Sequence, residues 1–170
     1  MVADTTRASR RLPDRGDLVQ VAAFIVAINV IGGLPGILSS PDSAWFRSLE
    51  KPWFYPPEIA FPIVWTLLFT LMGVALWLVW RSSSDSRDRQ LAFGLFVVQM
   101  AFNVAWTPAF FGLEEPLLGL GVILALWVLV VPTIAAFRRV DRRAAALLVP
   151  YLAWITFAAI LNFEIWRLNA

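Results

Sequence analysis

The chain has no cysteine and no histidine among its 170 residues, and its one lysine is Lys51. Without thiols or imidazoles, disulfides, zinc fingers, imidazole- or thiolate-ligated haem, histidine proton relays and the Ser-His-Asp and Cys-His nucleophile systems are excluded. Charge is scarce as well. Charged residues make up 15% and hydrophobic residues 59% of the chain, against about 25% and about 45–50% in a soluble domain. The 14 basic residues nearly balance 12 acidic ones and form no single long block, which argues against a disordered chain and against a nucleic-acid-binding surface. The pI of 9.7 reflects only a small surplus of arginine. The composition is that of an integral membrane protein.

A membrane-spanning helix needs roughly 20 mostly apolar residues, and five such stretches lie between the charge clusters, near 18–38, 59–80, 90–111, 117–137 and 144–166. The expected fold is all-α, a polytopic five-transmembrane-helix bundle, with a polar tail at 1–17 and one domain at 18–170. The first stretch is too long for a signal-peptide core and lacks a small-residue cleavage site, so it reads as a retained helix. Between spans 1 and 2 runs a longer loop, Ser39 to Glu58, carrying Pro41, Pro52, Pro56 and Pro57 with Trp45, Trp53 and Tyr55. Its proline and aromatic content predicts an ordered cap. One side of the bundle collects Arg7, Arg10, Arg11, Arg15, Arg81, Arg87, Arg89, Arg138, Arg139, Arg142 and Arg143, and the other Arg47, Lys51 and Arg167, which is 11 cations against 3. This bias predicts a cytoplasmic N-terminus, with the capping loop and C-terminus outside; recognition of phosphate or lipid headgroups is the alternative use of the arginines. Thirteen Arg against one Lys points to a prokaryotic cell membrane.

The spans hold few ionisable groups. Glu58 and Glu164 fall near the outer interface, as interfacial carboxylates or as a proton or cation site. Polar residues in a bilayer turn inward, and three spans carry such stripes. Gln99, Asn103, Trp106 and Phe110 share one face of span 3, and Tyr151, Trp154, Ala158 and Asn162 one face of span 5. Thr66, Thr70, Gly73 and Trp77 form a small and polar stripe on span 2, with Trp65 and Phe69 on its flank. The three faces are expected to look at one another. Trp65, Asn103, Trp106 and Asn162 would then share the outer half of the bundle, with Trp154 nearer the midplane, in an aromatic pocket roofed by the loop. Such a pocket suits a flat, largely apolar ligand with a polar edge. Trp53, Trp77, Trp80 and Trp166 read as interfacial belt residues. Gly32 and Gly36, beside Pro35, read as a packed kink or a dimer contact.

In order along the chain, Trp45-Phe46-x-x-Leu49-x-Lys51-Pro52-x-x-x-Pro56-Pro57, Phe61-Pro62-x-x-Trp65-Thr66-x-x-Phe69-x-x-Met72-Gly73, Gln99-x-x-x-Asn103-x-x-Trp106-x-x-x-Phe110-Phe111 and Pro150-Tyr151-Leu152-x-Trp154-x-x-Phe157-Ala158-x-x-Leu161-Asn162 closely resemble the translocator protein family, also called tryptophan-rich sensory proteins or peripheral-type benzodiazepine receptors. The resemblance runs from about residue 20 onward. It implies a cavity, closed by the first loop, that binds protoporphyrin IX, haem and benzodiazepine- or isoquinoline-type ligands, and cholesterol in animal members. It implies Phe46, Trp65, Asn103, Trp154 and Ala158 in the lining, to which the stripes add Phe69, Trp106 and Asn162, and Arg47 and Lys51 are the rim cations expected for propionates. In bacterial members that degrade protoporphyrin IX in light, two cavity tryptophans are implicated, and Trp65 and Trp154 match them. A homodimer is implied too, with Gly94, Val98 and Ala101 on span 3 as its seam. Two departures stand out. Leu161 and Arg167 flank Phe163 where the animal sterol motif has a tyrosine, and Phe46 replaces a tyrosine common in relatives.

Three functions are therefore expected in turn. The first is a tetrapyrrole-binding protein that senses or transports its ligand, in contact with membrane lipid but not with nucleic acid, and needing no resident cofactor or metal. The second is a light-dependent porphyrin-degrading enzyme using Trp65 and Trp154; a porphyrin is its own photosensitiser, so missing acid-base groups do not exclude it. The third is a small-solute or lipid transporter, which the scarcity of buried charge disfavours.

Overall fold

The computed structural model describes residues 14–39 and 43–170; Arg7, Arg10, Arg11 and Pro41 lie outside them. The helices are α1 (Arg15–Leu38), α2 (Ala44–Ser48), α3 (Ala60–Trp80), α4 (Ser86–Thr107), α5 (Pro116–Val140), α6 (Arg142–Leu147) and α7 (Val149–Asn169). A π-helical turn, Pro108–Gly112, continues α4, and only Leu148 separates α6 from α7. Among the described residues there is no strand, and five helices are long and apolar enough to cross a membrane: α1, α3, α4 with its π turn, α5, and α6 joined to α7. This is the five-span, all-α fold that the apolar stretches predict.

Four of the five spans overrun those stretches, and α3 keeps within its own. Asp14 caps α1, its carboxylate accepting from the Asp17 N–H at 2.8 Å, so the helix begins inside the segment read as tail. Asp85 and Asp141 cap α4 and α6 in the same way. Short acidic side chains that satisfy the first free N–H groups let charged turns stay helical as they leave the bilayer.

Packing differs between the two ends of the bundle. At the arginine-bearing end, Met72, Val79, Phe137, Ala144, Leu148 and Ile155 form a tightly buried core. α1 packs on α3, α4 on α5 and α5 on α7, and α3 lies against α6 while drawing away from α7. At the other end that separation leaves a hollow. α1 contributes little to the core, with Ile28 its one buried residue, and is held to α3 by close approach. A Cβ added to Gly73 would stand 2.7 Å from the Ile25 Cα, and one added to Gly32 would strike the Phe69 ring. Above Gly73, Asn29 donates to the Ile25 carbonyl (2.9 Å) and to the Thr70 hydroxyl (3.3 Å).

These contacts correct the expected orientation of span 2. Its Thr70 and Gly73 look at α1, not at α4 and α7, because only a glycine lets the α1 backbone in so closely. Trp65 and Phe69, on the flank, are the residues that face inward. Trp77 is also not a belt residue: it is 8% exposed, with the Arg81 guanidinium 4.6 Å above its ring.

The loop between α1 and α3 forms the roof. Ser43 caps α2 by accepting from the Phe46 N–H (3.1 Å), which turns the buried Phe46 ring onto Phe110 and Phe111. The Asn169 amide then clips the loop to the end of α7: its oxygen accepts from the Glu50 N–H (2.9 Å) and its nitrogen donates to the Glu50 carbonyl (3.0 Å).

Candidate ligand cavity

A cavity of about 580 Å³ fills the roofed half of the bundle. All eight lining residues expected from the sequence, Phe46, Trp65, Phe69, Asn103, Trp106, Trp154, Ala158 and Asn162, stand on its wall. α3 and α7 supply the aromatic centre. The Trp65 ring stacks on Phe69 at 5.2 Å and stands perpendicular to Trp154, 6.5 Å away and at 89°. Trp154 also meets Phe61 edge-on at 6.1 Å. Its indole N–H is buried and has no hydrogen-bond partner among the described residues.

Amides tie α4 to α7 across the hollow. Asn103 donates to the Tyr151 hydroxyl (2.9 Å), which donates to the Gln99 side-chain oxygen (3.0 Å). Nearer the roof, the Trp106 indole donates to the Asn162 side-chain oxygen (3.0 Å), while the Asn162 nitrogen donates to the Pro116 carbonyl (2.8 Å). In an apolar surround such groups find one another because no water is available. The bonds hold the wall open and fix Trp106, stacked on Phe110 at 5.3 Å, as one of its plates.

Neither expected rim cation is among the residues that line the cavity. The Lys51 ammonium donates to the Phe46 carbonyl (3.1 Å) and lies 4.6 Å above the Phe46 ring, so its charge is engaged in holding the roof. Arg47 is exposed on α2 and does not line the cavity. Among the described lining residues, Glu58 is the one charged side chain. Tyr55 lines the cavity beside it, and its hydroxyl pKa is pushed up to about 12, by burial first and then by the Glu58 carboxylate. No group of three or more His, Cys, Asp or Glu side chains that could hold a metal ion occurs among the described residues.

The wall contributed by α1 was not legible in the residue pattern. Asn29, Gly32, Gly33, Gly36 and Ile37 line the cavity from one helical face; their spacing was visible, but glycines read as packing. Gly94, Val98 and Ala101 are exposed on the outer surface of α4, away from the cavity.

With this geometry, the comparison with known families is decisive: the model described as the TspO/MBR family matches residues 23–167. The chain belongs to the TspO/MBR family. It is 43% identical over 149 residues to the tryptophan-rich protein TspO of Chlorobaculum tepidum, covering 86% of this chain and 94% of that protein. It is 42% identical over 134 residues to the tryptophan-rich sensory protein of Cereibacter sphaeroides, covering 79% and 82%. To the translocator protein of Homo sapiens it is 36% identical over 126 residues, covering 74% and 75%. A TspO/MBR protein with five spanning helices is an integral membrane protein, and at the coarse level the family's function is membrane sensing or transport.

Proposed function

We propose that this TspO/MBR protein binds a flat tetrapyrrole, protoporphyrin IX or haem, in the roofed cavity and senses or transports it. The observation that carries this reading is the perpendicular Trp65–Trp154 pair on the wall of a hollow of about 580 Å³, within the range of about 300–1,000 Å³ typical of ligand pockets. Stacked and edge-on rings grip a planar π-system on its faces. Benzodiazepine- and isoquinoline-type molecules have the same flat, weakly polar character. The ligand is cargo or substrate, and no resident cofactor is needed. Its carboxylates turn away from Glu58, toward the side of the roof that carries Arg47 and Lys51. In this reading the N-terminus is cytoplasmic, the roof lies outside a prokaryotic cell membrane, and the exposed α4 face with Gly94, Val98 and Ala101 joins two copies in a homodimer.

The Trp65–Trp154 pair also favours a second reading, light-dependent porphyrin degradation, in which the two indoles are the oxidisable groups beside the excited ring. One titration separates the readings. Protoporphyrin IX is added to the detergent-purified protein in darkness, then under illumination, and tryptophan quenching and the porphyrin spectrum are followed for wild type, Trp65→Phe and Trp154→Phe. Dark, saturable quenching supports binding; its absence sinks the tetrapyrrole reading. Bleaching faster than that of free porphyrin, and dependent on both indoles, makes the protein an enzyme, whereas bleaching at the free rate leaves a binding protein.

A further inference from the structure

We propose that the cavity exchanges its ligand sideways with the bilayer, through a slot between the roofed-end halves of α1 and α3. The inference rests on the reading above only in taking the ligand to be a lipid-dissolved aromatic amphiphile.

The slot is defined by residues that line the cavity and yet face outward. On α1, Gly36 is exposed and Ile37 is 80% exposed, and both border the cavity. On α3, the exposed Pro62 and Thr66 border it from the opposite lip, with the exposed Glu58 in the turn just before that helix. Among the described residues, a Cβ added to Gly36 would meet nothing within 4 Å, in contrast to Gly32, one turn deeper on the same face, whose Cβ would collide with the Phe69 ring. The two helices are thus in close contact up to Gly32 and separated above it. The inner edge of the slot is the Asn29–Thr70 hydrogen bond (3.3 Å).

Depth places this opening among acyl chains. Gly33 lies about 8 Å below the end of α1, and Thr66 about 9 Å below the start of α3, at a rise of about 1.5 Å per residue. Half of the hydrocarbon core is only about 15 Å thick. The deeper part of the slot, at Gly33 and Thr66, therefore looks onto lipid, and its upper end at Gly36, Pro62 and Glu58 meets the interface. The other way out, through the roof, is closed by Phe46 against Phe110 and Phe111, by Lys51 on the Phe46 carbonyl, and by the double Asn169–Glu50 clip. An apolar ring dissolved in the membrane reaches the slot without crossing water, and the glycine lip leaves room for its edge.

The test uses the full chain in lipid nanodiscs preloaded with protoporphyrin IX, and follows porphyrin release into excess empty vesicles. A plug and a weakened site move this rate in opposite directions. Gly36→Trp is expected to slow release by about tenfold, equivalent to one decade of barrier, while Asn169→Ala, which opens the roof clip, leaves it at the wild-type rate. Release from Gly36→Trp as fast as or faster than wild type overturns the slot, and so does a tenfold acceleration in Asn169→Ala. A readout without any ligand keeps the two proposals separable. In this cysteine-free chain, a bimane placed on Gly33→Cys is expected to be quenched by lipids with brominated acyl chains; an unquenched probe overturns the slot even if porphyrin binds, and a quenched probe sustains it even if porphyrin does not.

Discussion

Gly73→Ala is the sharpest test of how α1 is held. The added methyl carbon would lie 2.7 Å from the Ile25 Cα, 2.9 Å from its nitrogen and 3.0 Å from the Phe24 carbonyl oxygen. Carbon atoms prefer about 3.5–4.0 Å, so α1 must retreat by about 1 Å, and all three obstacles are backbone, which cannot rotate away. The Asn29–Thr70 bond, already 3.3 Å long, then passes beyond hydrogen-bonding reach. Overpacking of this kind costs about 1–3 kcal/mol, and an interhelical bond in a membrane protein adds about 0.6 kcal/mol. Gly33→Ala is the matched control on the other side of the same seam: its Cβ meets nothing, and alanine is the better helix former by about 1 kcal/mol. Thermal or SDS-induced unfolding followed by circular dichroism should therefore show Gly73→Ala destabilised and Gly33→Ala unchanged or stabilised. Equal stability of the two variants would refute a helix pair closed at Gly73 and open at Gly33.

In a double-mutant cycle of Asn162→Leu and Trp106→Phe, the 3.0 Å indole bond should give a coupling of about 0.6–1.7 kcal/mol; strictly additive losses would show that the bond carries no energy. Glu58→Gln should speed association of protoporphyrin IX by about three- to tenfold at low ionic strength and leave a neutral ligand unaffected, because a like charge leaves the cavity edge; equal rates for both ligands would remove Glu58 as a charge barrier. Tyr55 and Tyr151 are the only tyrosines, so in Tyr151→Phe the phenolate absorbance should rise near pH 12 and not near 10. A phenol whose folded pKa is raised stabilises the roof fully below pH 10 and loses that contribution as pH climbs through about 12; titration near 10 with the protein still folded would contradict the burial of Tyr55.

The spanning helices were legible because bilayer thickness sets their length and the arginines mark their ends. Trp65, Phe69, Asn103, Trp106, Trp154 and Asn162 were legible for a related reason: large aromatic and amide side chains at helical spacing in an apolar chain have few places to go but inward; Ala158 shares their face of span 5, and Phe46 was expected from the family resemblance. Spacing alone says which residues share a face, not which neighbour that face meets. Thr70 and Gly73 therefore read as cavity wall when they are the seam for α1, and Trp77 read as belt when it is covered by Arg81. The part played by Gly33 and Gly36 was hidden because a cavity wall made by missing side chains leaves no residue type to notice. The partner of Lys51 was hidden because it is the Phe46 backbone carbonyl, an acceptor that every residue carries and no sequence pattern marks.

The π turn after α4 is a frame shift written into a helix. The Leu113 N–H reaches back five residues to the Pro108 carbonyl at 2.9 Å, so this turn uses one residue more than an α-turn would. Inside this wider turn, which closes the helix, Phe110 and Phe111 both end up against Phe46 under the roof. A single-residue deletion within Pro108–Gly112 would restore the α register and re-aim these rings while leaving the arginine-end core untouched. The ceiling of the cavity is thus adjustable by the count of residues as well as by their identity, and a change in ligand shape could be met by one codon lost or gained at this point.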